Sequence, residues 1–574
     1  MPARRWAALP CRSTSRLKST PSSKSPEAHP MNGGEALVET LASHGVDTVF
    51  CVPGESYLAV LEGLRRHANT IRLVTNRHEA GAAFAANGYA KISRRPGIAF
   101  VSRGPGATNA SIGVHTADQD SIPLVLFIGQ IPREEFGREA FQEIDYTAFF
   151  GSVAKAVLEP IDPADVARAT ADALTIAQTG RPGPIVVVLP EDVTEADAGN
   201  VVVPHPLAVG SAHASDLQIE QAAALINKAE RILIVGGELI KAEAATMKLG
   251  AFAESVGAAV VSAFRCQDAL NNDHPAYVGL LGLGRPPYLK QAWADADLVI
   301  LAGSRFDAIT SEDFALRDSG KTTIMIHPCH ETIAQVRPSF GIAAAVGPTL
   351  MALSRATDVP SAVRAAWQAD LREAFAAYQA DAPEALGAVD MTAVIRHVDS
   401  RLSEIDHVVT NDAGNFSTWL HRHFRYRMPD SQAGPMAGAM GYAVPSAVGA
   451  AMARDSARVV AFVGDGGFMM TGQEISTAVQ NGLKVTVIVC DNSHYGTIMM
   501  HQHRYAGAGN YAATELNSPD FEALGAAYGA RAWKVETTDA FAAAFDEALA
   551  YDGPGLIHVV TDIRDISAAG PLKT

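Results

Sequence analysis

The sequence has few cysteines, no long apolar run and no overall excess of basic residues. Its five cysteines, at positions 11, 51, 266, 329 and 490, show no CxxC spacing, so a disulfide framework is not predicted. An odd, scattered set of thiols in a large protein is typical of a reducing compartment, and we expect a cytoplasmic location. No apolar run approaches the length that spans a bilayer, so we expect no membrane as a partner.

Charge is distributed unevenly along the 574 residues. The formal net charge is −16, but residues 1–30 carry a net +5, which leaves −21 for the remainder (−16 less +5). A body this acidic argues against nucleic acid as a partner. The Arg- and Ser-rich leader at 1–30 has the composition of an organellar transit peptide. The alternative, which we favour, is an upstream start codon with Met31 as the working N-terminus, and disorder is expected in the leader either way.

Length and composition predict an α/β protein of several domains. At about 150 residues per domain the chain should form three or four domains. Helical and strand patterns alternate, so we expect three domains, each with a mainly parallel sheet flanked by helices. The predicted segments are the leader at 1–30, a first domain at 31–195, a linker at 196–216, a central domain at 217–356, a linker helix at 357–388, a third domain at 389–565 and a tail at 566–574.

The stretch 458–500 has the pattern of a βαβ unit. An apolar run at 459–463 stops at Gly464-Asp465-Gly466-Gly467, and a second run at 485–490 stops at Asp491-Asn492. Short runs of β-branched and apolar residues indicate strands buried on both faces, and the spacing predicts their crossover helix over 470–480. Because both strands of such a unit end on the same edge of the sheet, Asp465 and Asn492 should come together there.

This sheet edge has the chemistry of a diphosphate site. One carboxylate and one amide oxygen suit a magnesium ion whose other ligands are phosphate oxygens, water and a backbone carbonyl. Gly466 and Gly467 let the backbone approach closely, and the following helix offers free N–H groups and its positive end to an anion. A glycine-rich turn after a strand is also a common structural turn, so the Asn at the next strand end adds most of the specificity.

The spacing of the stretch resembles a known cofactor motif. Gly464-Asp465-Gly466, then 24 residues, then Asp491-Asn492 is similar to the thiamine diphosphate motif of the 2-oxo-acid decarboxylase and acetolactate synthase superfamily. The resemblance implies that Asp465, Asn492 and the main-chain oxygen of His494 hold Mg²⁺. NDAGNF at 411–416 and GAMGYAVP at 438–445 also resemble family segments. The implied cofactor-binding residues of this domain are Gly414, Asn415, Gly438, Met440, Gly464, Asp465, Gly466, Gly467, Asn492, His494, Gly496 and Thr497.

The first domain carries the second part of the resemblance. RHEAGAAFAANGYAK at 77–91, GPGATN at 104–109, DSIPLVLFIGQ at 120–130, AFQEID at 140–145 and GRPGPIVVVLPEDV at 180–193 look like the pyrimidine-binding domain of acetolactate synthases. In that family the acid at the position of Glu79 hydrogen-bonds N1′ of the cofactor's aminopyrimidine, which helps to activate the reactive carbon. The alternative for a lone Glu in a first helical turn is a carboxylate favoured by the helix dipole.

The central block at 217–356 resembles the family's central domain, which in acetolactate synthases binds FAD and elsewhere binds ADP, CoA or nothing. GSRFD at 303–307 matches part of the flavin-binding pattern. Two departures argue against FAD here, because the Arg expected shortly after that motif is absent at 308–310 and His327 stands where the family has Asp. Alternatively, Arg305 and Asp307 form an ion pair at the end of a strand.

The resemblance covers residues 34–562 and favours a carboligase. Simple decarboxylases of the superfamily carry a His-His pair, and none of the 18 histidines here has a histidine neighbour. Gln142 and Lys155 match catalytic positions of the carboligating synthases, so we expect decarboxylation of a 2-oxo acid, with pyruvate as donor, and acyl transfer to a second carbonyl. The alternatives are another thiamine-dependent 2-oxo-acid decarboxylase, a 2-hydroxyacyl-CoA lyase, and a cofactor-binding protein without turnover.

The acceptor substrate and the assembly are less fully specified. Acetolactate synthases carry a Trp after the metal loop that selects the acceptor, whereas alignment at Gly496 places His501 there, with Met499 in the same segment. The acceptor therefore stays open, and Met499 and His501 are candidate substrate residues. In the family the domain of the catalytic acid meets the GDG domain of a neighbouring subunit, so we expect a homodimer or homotetramer. The sequence is silent on a regulatory subunit.

Overall fold

The computed structural model describes residues 31–572, which form three α/β layers built on six-stranded sheets. Every strand pairing within these sheets is parallel. The predicted class, three domains that each hold a mainly parallel sheet flanked by helices, is confirmed. The predicted leader at 1–30 lies outside the described residues. Every helix within residues 31–572 is too short or too polar to serve as a membrane span.

The first sheet lies in the N-terminal third of the chain. Its strands are β1 (Thr48–Cys51), β2 (Arg72–Thr75), β3 (Gly97–Val101), β4 (Leu124–Gln130), β5 (Ala156–Leu158) and β6 (Ile185–Pro190). Its helices are α1 (Gly33–Ser43), α2 (Leu58–Arg66), α3 (Glu79–Ser93), α4 (Gly104–Gln119), α5 (Tyr146–Phe150), α6 (Val166–Gln178) and α7 (Glu191–Glu195), with 3-10 turns at Glu55–Tyr57, Arg133–Glu135 and Pro163–Asp165. The strand order is β2-β1-β3-β4-β6-β5, and the apolar strands β3, β4 and β6 are buried along their whole length.

The second sheet has the strand order of a doubly wound nucleotide-binding fold. Its strands are β7 (Ile232–Gly236), β8 (Ala259–Ser262), β9 (Tyr277–Leu280), β10 (Leu298–Ala302), β11 (Thr323–Ile326) and β12 (Phe340–Ile342). Its helices are α8 (Asp216–Lys228), α9 (Glu238–Ala242), α10 (Thr246–Val256), α11 (Pro287–Asp295), α12 (His330–Val336) and α13 (Val346–Ala356), with a 3-10 turn at Gln267–Ala269. The order β12-β11-β10-β7-β8-β9 reverses direction between β7 and β10. Residues 199–215, which precede this layer, contain no helix or strand.

The long helix α14 (Ala362–Ala380) leads to the third sheet. The strands of this sheet are β13 (His407–Asn411), β14 (Gln432–Ala433), β15 (Arg458–Gly464), β16 (Val485–Asp491), β17 (Arg531–Val535) and β18 (Gly555–Val560). Its helices are α15 (Met391–Leu402), α16 (Ser417–His423), α17 (Ala443–Ala453), α18 (Asp465–Thr471), α19 (Ile475–Gln480), α20 (Gly496–Ala506), α21 (Phe521–Ala527) and α22 (Thr538–Ala550), with a 3-10 turn at Gly472–Glu474. The order β14-β13-β15-β16-β18-β17 repeats the pattern of the first sheet.

The predicted crossover helix over 470–480 is wrong in its bounds. The segment forms two short helices, α18 and α19, and α18 already begins at Asp465. The break occurs at Thr471, where φ is −143° and ψ is 11°. The Thr471 hydroxyl donates a hydrogen bond to the main-chain oxygen of Gly441, and this tertiary contact competes with continued helix formation.

Helices α3 and α17 hold the first and third layers together. Both are rich in small residues, and the side chains of Ala82, Ala85 and Ala447 are fully buried in a core shared by the two layers. At Gly449 of α17 an added Cβ would lie 2.7 Å from the carbonyl carbon of Ala85 in α3. Only a residue without a side chain permits this approach, so α3, which begins with Glu79, is fixed directly against α17.

Candidate active site

A cavity of about 240 Å³ lies in the third layer, where strands β13, β15 and β16 end. This is the edge at which open parallel sheets bind ligands. The structure brings together at this cavity every cofactor-binding residue predicted for the third domain, while the roles of these residues remain predictions. They are Gly414, Asn415, Gly438, Met440, Gly464, Asp465, Gly466, Gly467, Asn492, His494, Gly496 and Thr497.

Two glycines, Gly466 and Gly467, line the cavity with main chain only. At Gly466 an added Cβ would lie 2.5 Å from the ring of Tyr495, and at Gly467 it would collide with the carboxylate of Asp412. Side chains are therefore excluded from both positions, and the main chain at the start of α18 is accessible from the cavity. Gly496 and Thr497 at the N-terminus of α20 line the same space. Free N–H groups and a positive helix end suit an anionic ligand such as a phosphate.

Two neighbouring carboxylates meet at this sheet edge. The Ser518 hydroxyl lies 3.2 Å from Oδ2 of Asp465 and 2.9 Å from Oδ1 of Asp491. Burial and the charge of Asp491 raise the pKa of Asp465 to about 7. Burial alone would also raise the pKa of Asp491, but hydrogen bonds, chiefly from His558 at 2.9 Å, lower it below its ordinary value. The pair therefore concentrates negative charge where a cation would be stabilised.

The oxygen donors at the cavity fit a magnesium ion that takes further ligands from outside the protein. Asp465 is 4% exposed, and Oδ1 of Asn492 accepts a hydrogen bond from the N–H of His494 at 3.0 Å. The main-chain oxygen of His494 accepts from the N–H of Gly496 at 2.8 Å and keeps a second lone pair. Within residues 31–572 no group of three or more His, Cys, Asp and Glu side chains could hold a metal. Phosphate and water oxygens are therefore needed to complete the coordination.

A reciprocal pair joins two sides of the cavity. The N–H of Asn415 donates to the Thr497 hydroxyl at 3.1 Å, and that hydroxyl donates to Oδ1 of Asn415 at 3.1 Å. The loop after β13 is thereby tied to the first turn of α20. Two hydrogen bonds thus join segments that are more than 80 residues apart in the chain along one wall of the cavity.

Glu79 lies outside this cavity, at the start of α3. Its carboxylate accepts a hydrogen bond from Nδ2 of Asn109, at 2.9 Å, within the same layer. The third-layer cavity is therefore built without Glu79, and a single chain does not bring these two parts of the predicted site into one pocket.

Comparisons with known proteins agree with this architecture. The N-terminal TPP binding domain of thiamine pyrophosphate enzymes matches residues 31–149, their central domain matches 219–353, and their C-terminal TPP binding domain matches 412–559. These three matches together cover more than half of the chain.

Individual relatives are similar over nearly the whole length. A probable acetolactate synthase large subunit from Methanocaldococcus jannaschii is 30% identical over 93% of this chain and 92% of its own. The acetolactate synthase isozyme 2 large subunit of Escherichia coli is 30% identical over 93% of this chain and 96% of its own. The acetolactate synthase large subunit of Corynebacterium glutamicum is 32% identical over 90% of this chain and 84% of its own.

The chain belongs to the thiamine pyrophosphate enzymes. Within them it is of the acetolactate synthase-like type, as its resemblance to the synthases predicted. The matched N-terminal and C-terminal domains are thiamine pyrophosphate-binding domains, so this cofactor is supported for the enzyme.

The other predicted catalytic residues of the enzyme also lie away from the cavity. Gln142 has a positive φ of 68°, and its main-chain oxygen accepts from the N–H of Gly104 at 3.0 Å. The Lys155 ammonium donates to the carbonyl oxygens of Ile176 at 2.6 Å and Thr179 at 2.8 Å, at the C-terminal end of α6. In the isolated chain Lys155 thus caps a helix, and its catalytic role stays a prediction.

The two candidate substrate residues of the enzyme do not line the cavity either. Met499 is buried and packs with Met500 and Ile566 in a small apolar cluster, whereas His501 is exposed. Their neighbour Ile498 lines the cavity and is 51% exposed. The helical turn of α20 thus directs Ile498 toward the site.

Sequence reasoning missed Asp412, the residue that holds the segment containing Met440. Its buried carboxylate accepts from the N–H of Gly441 at 2.7 Å and from the N–H of Ala443 at 2.6 Å. Burial raises the pKa of Asp412 to about 6. The available signal was its place directly after β13, because polar residues at strand ends commonly serve the ligand edge of a parallel sheet.

The second layer was predicted to carry part of a flavin-binding pattern. Its topological switch point lies between β7 and β10, where dinucleotides bind in doubly wound folds. Oε1 of Glu238 accepts from the N–H of Arg305 at 3.1 Å across this crevice, and Glu238 is 7% exposed. The alternative ion pair between Arg305 and Asp307 is wrong, since Arg305 pairs with Glu238 at 3.6 Å and Asp307 caps the turn at Ile309.

Proposed function

We propose that the enzyme uses thiamine diphosphate and Mg²⁺ to decarboxylate pyruvate and to transfer the acyl group to a second carbonyl compound. The product is an acetolactate-like 2-hydroxy-3-oxo acid. The observation that carries this proposal is the third-layer cavity, because one pocket collects every predicted cofactor residue of that domain. The similarity to acetolactate synthase large subunits supports the choice of reaction.

Each part of the cavity has a proposed task. Asp465, Asn492 and the main-chain oxygen of His494 hold Mg²⁺, and the diphosphate lies against the bare backbone at Gly466. Met440 lines the same cavity and, as the resemblance implies, would lie between the two rings of the cofactor. When bound, the cofactor supplies a carbon nucleophile that adds to the carbonyl of the 2-oxo acid. Burial of the cavity floor excludes water from the charged groups and strengthens their interactions.

Glu79 completes the site from a neighbouring chain. Its carboxyl group exchanges a proton with N1′ of the aminopyrimidine, which requires contact with the cofactor. Since Glu79 does not line the cavity of its own chain, the proposed active unit is at least a homodimer with sites between subunits. Gln142 lies at the same edge of the first sheet as Glu79, since its main-chain oxygen accepts from Gly104 at the start of α4. Lys155 directly precedes β5 at the opposite edge and has no assigned task in this arrangement.

The proposed enzyme has no flavin in its central domain. A dinucleotide places its diphosphate at the switch point, next to the free N–H groups of the first strand turn. At this position the buried Glu238 carboxyl group already accepts the N–H of Arg305 and lies 3.6 Å from the Arg305 guanidinium, so the two side chains are engaged with each other. The domain is therefore proposed to be structural, and the purified protein should lack the visible absorbance of a flavin.

The decisive experiment is incubation of the purified protein with pyruvate, thiamine diphosphate and Mg²⁺. Chromatographic separation should detect acetolactate as the main product. Acetaldehyde without acetolactate would assign a simple decarboxylase instead. Absence of any pyruvate consumption, together with no cofactor uptake by calorimetry, would contradict the proposal as a whole.

A further inference from the structure

A second buried carboxylate lies beside the start of α3. Glu474 ends the 3-10 turn between α18 and α19, and its side chain is fully buried. Oε1 accepts hydrogen bonds from the main-chain N–H groups of Arg77 at 2.9 Å and His78 at 3.1 Å. Oε2 accepts from Nδ2 of Asn76 at 2.9 Å and from the Thr477 hydroxyl at 2.7 Å. Each oxygen therefore has two donors, as an ionised carboxylate requires.

The donors of this cluster immediately precede Glu79. Arg77 and His78 are the last two residues before α3, whose first N–H groups have no partner within the helix. The His78 ring caps α3 by accepting from the N–H of Ala80, and the Glu474 carboxylate of the third layer holds the two residues that lead into this helix. Gly81 makes room for it, because a Cβ there would lie 2.6 Å from the carboxyl carbon of Glu474.

We infer that Glu474 is the positioning residue for Glu79. It fixes the backbone immediately before the proposed proton-exchanging acid, so it sets where that acid projects from the subunit. This inference rests on the proposed function, in which Glu79 meets the cofactor of a neighbouring chain. Displacement of a reacting group by about 1 Å can lower a rate about a hundredfold.

Two variants of Glu474 test separately the hydrogen bonds that its side chain accepts and the negative charge that it carries. Glu474→Ala leaves four donors without an acceptor. We expect the proton on C2, the reactive carbon of the cofactor, to exchange about a hundredfold more slowly in this variant. Glu474→Gln keeps an oxygen for Arg77 and His78. Asn76 can turn its amide to receive the new NH₂ group, since Oδ1 of Asn76 has no partner among the described residues. We expect this variant to fold and to lose about tenfold in rate, because charge-assisted hydrogen bonds hold geometry more strongly.

A matched control removes a hydrogen bond to Oε2 of Glu474, the carboxylate oxygen that does not contact Arg77 and His78. Thr477→Val removes one donor of Glu474 but leaves the bonds to Arg77 and His78 intact. This variant should keep the C2 exchange rate within about twofold of wild type. In cofactor-free protein, amide hydrogen exchange of residues 77–81 should accelerate in Glu474→Gln and stay unchanged in Thr477→Val.

The measurements are C2 proton exchange by NMR, cofactor Kd by calorimetry, and the division of the effect between kcat and KM for pyruvate. A positioning role predicts a lower kcat and slower C2 exchange, with Kd and KM nearly unchanged. It also predicts that Glu79→Gln with Glu474→Ala is no slower than Glu79→Gln alone.

Contrary results are equally clear. Wild-type C2 exchange in Glu474→Gln, or a further additive loss in the double variant, would overturn the positioning role. If Glu474→Ala does not fold, Glu474→Gln and the amide exchange data still decide. A failure of the proposed function would look different from a failure of the positioning role. In that case wild-type protein and Glu79→Gln would show the same rate of C2 proton exchange.

Discussion

Two inactive variants should restore activity to each other if the active site is shared between chains. Glu79→Gln removes the proposed proton exchange and leaves the third-layer cavity intact. Asp465→Ala removes a proposed magnesium ligand and leaves Glu79 on its helix intact. In a mixed dimer, the cavity of the first chain faces the Glu79 of the second, so one site is complete. The other site carries both defects.

The size of the recovery follows from this geometry. A purified mixed dimer should have about half of the wild-type activity, because one of its two sites is complete. Random reassortment of equal amounts gives half mixed dimers, so such a mixture should recover about a quarter of the wild-type activity. Either variant alone should be inactive.

Co-expression with two affinity tags isolates the mixed dimer for a pyruvate assay. The control pairs Glu79→Gln with the double variant Glu79→Gln/Asp465→Ala, which leaves no chain with an intact Glu79 and should stay inactive. An inactive mixed dimer of the two single variants would refute the reasoning, because it would mean that Glu79 serves the cavity of its own chain.

Two further predictions concern protonation and packing. Because burial and the charge of Asp491 raise the pKa of Asp465 to about 7, a proton must leave before Mg²⁺ binds. The calorimetric affinity for Mg²⁺ and thiamine diphosphate should therefore fall about tenfold from pH 8 to pH 6, and the stability of cofactor-free protein should rise as the pH falls from about 7 to about 4. Asp412, whose pKa of about 6 is also raised, adds a stability slope of the same sign, so the slope should become smaller in Asp465→Asn, and a slope equal to that of wild type would contradict this assignment. Gly449→Ala should destabilise by about 2 kcal/mol in thermal melts, because overpacking against Ala85 costs about 3 kcal/mol and helix propensity returns about 1 kcal/mol. Gly210→Ala, which meets open space, should melt like wild type, and equal melting of the two variants would argue against close packing of α3 and α17.

Much of the fold could be predicted from local pattern. Strands β15 and β16 match the predicted apolar runs at 459–463 and 485–490 to within one residue at each end, since apolar and β-branched runs between turn residues give a clear signal. Convergence of Asp465 and Asn492 follows from strand polarity, because parallel strands joined by a crossover end on one edge. Both predictions use only local sequence: the order of apolar and turn residues along a strand, and the order of strands along the chain.

The remaining parts of the site depend on contacts without a periodic signal. Glu474 holds residues almost 400 positions earlier in the chain, and nothing in its own segment distinguishes it from a solvent-exposed acid. Asp412 and Ser518 likewise each act through two hydrogen bonds to other segments. The break at Thr471 also has a tertiary cause, since the local pattern there continues as a helix.

The first and third layers divide the proposed chemistry between two sheets of the same strand order. In both layers a helix follows the second strand, α3 after β2 and α17 after β14, and these two equivalent helices pack against each other. The chain therefore already contains a pair of equivalent layers in contact, of which the first carries Glu79 and the third carries the proposed magnesium-binding edge. A dimer that repeats this pairing between chains would generate two sites at once, each with Glu79 from one subunit and Asp465 from the other. The close contact at Gly449 and the hydrogen bonds to Glu474 both fix α3 against the third layer, so they set the direction in which Glu79 faces the neighbouring chain.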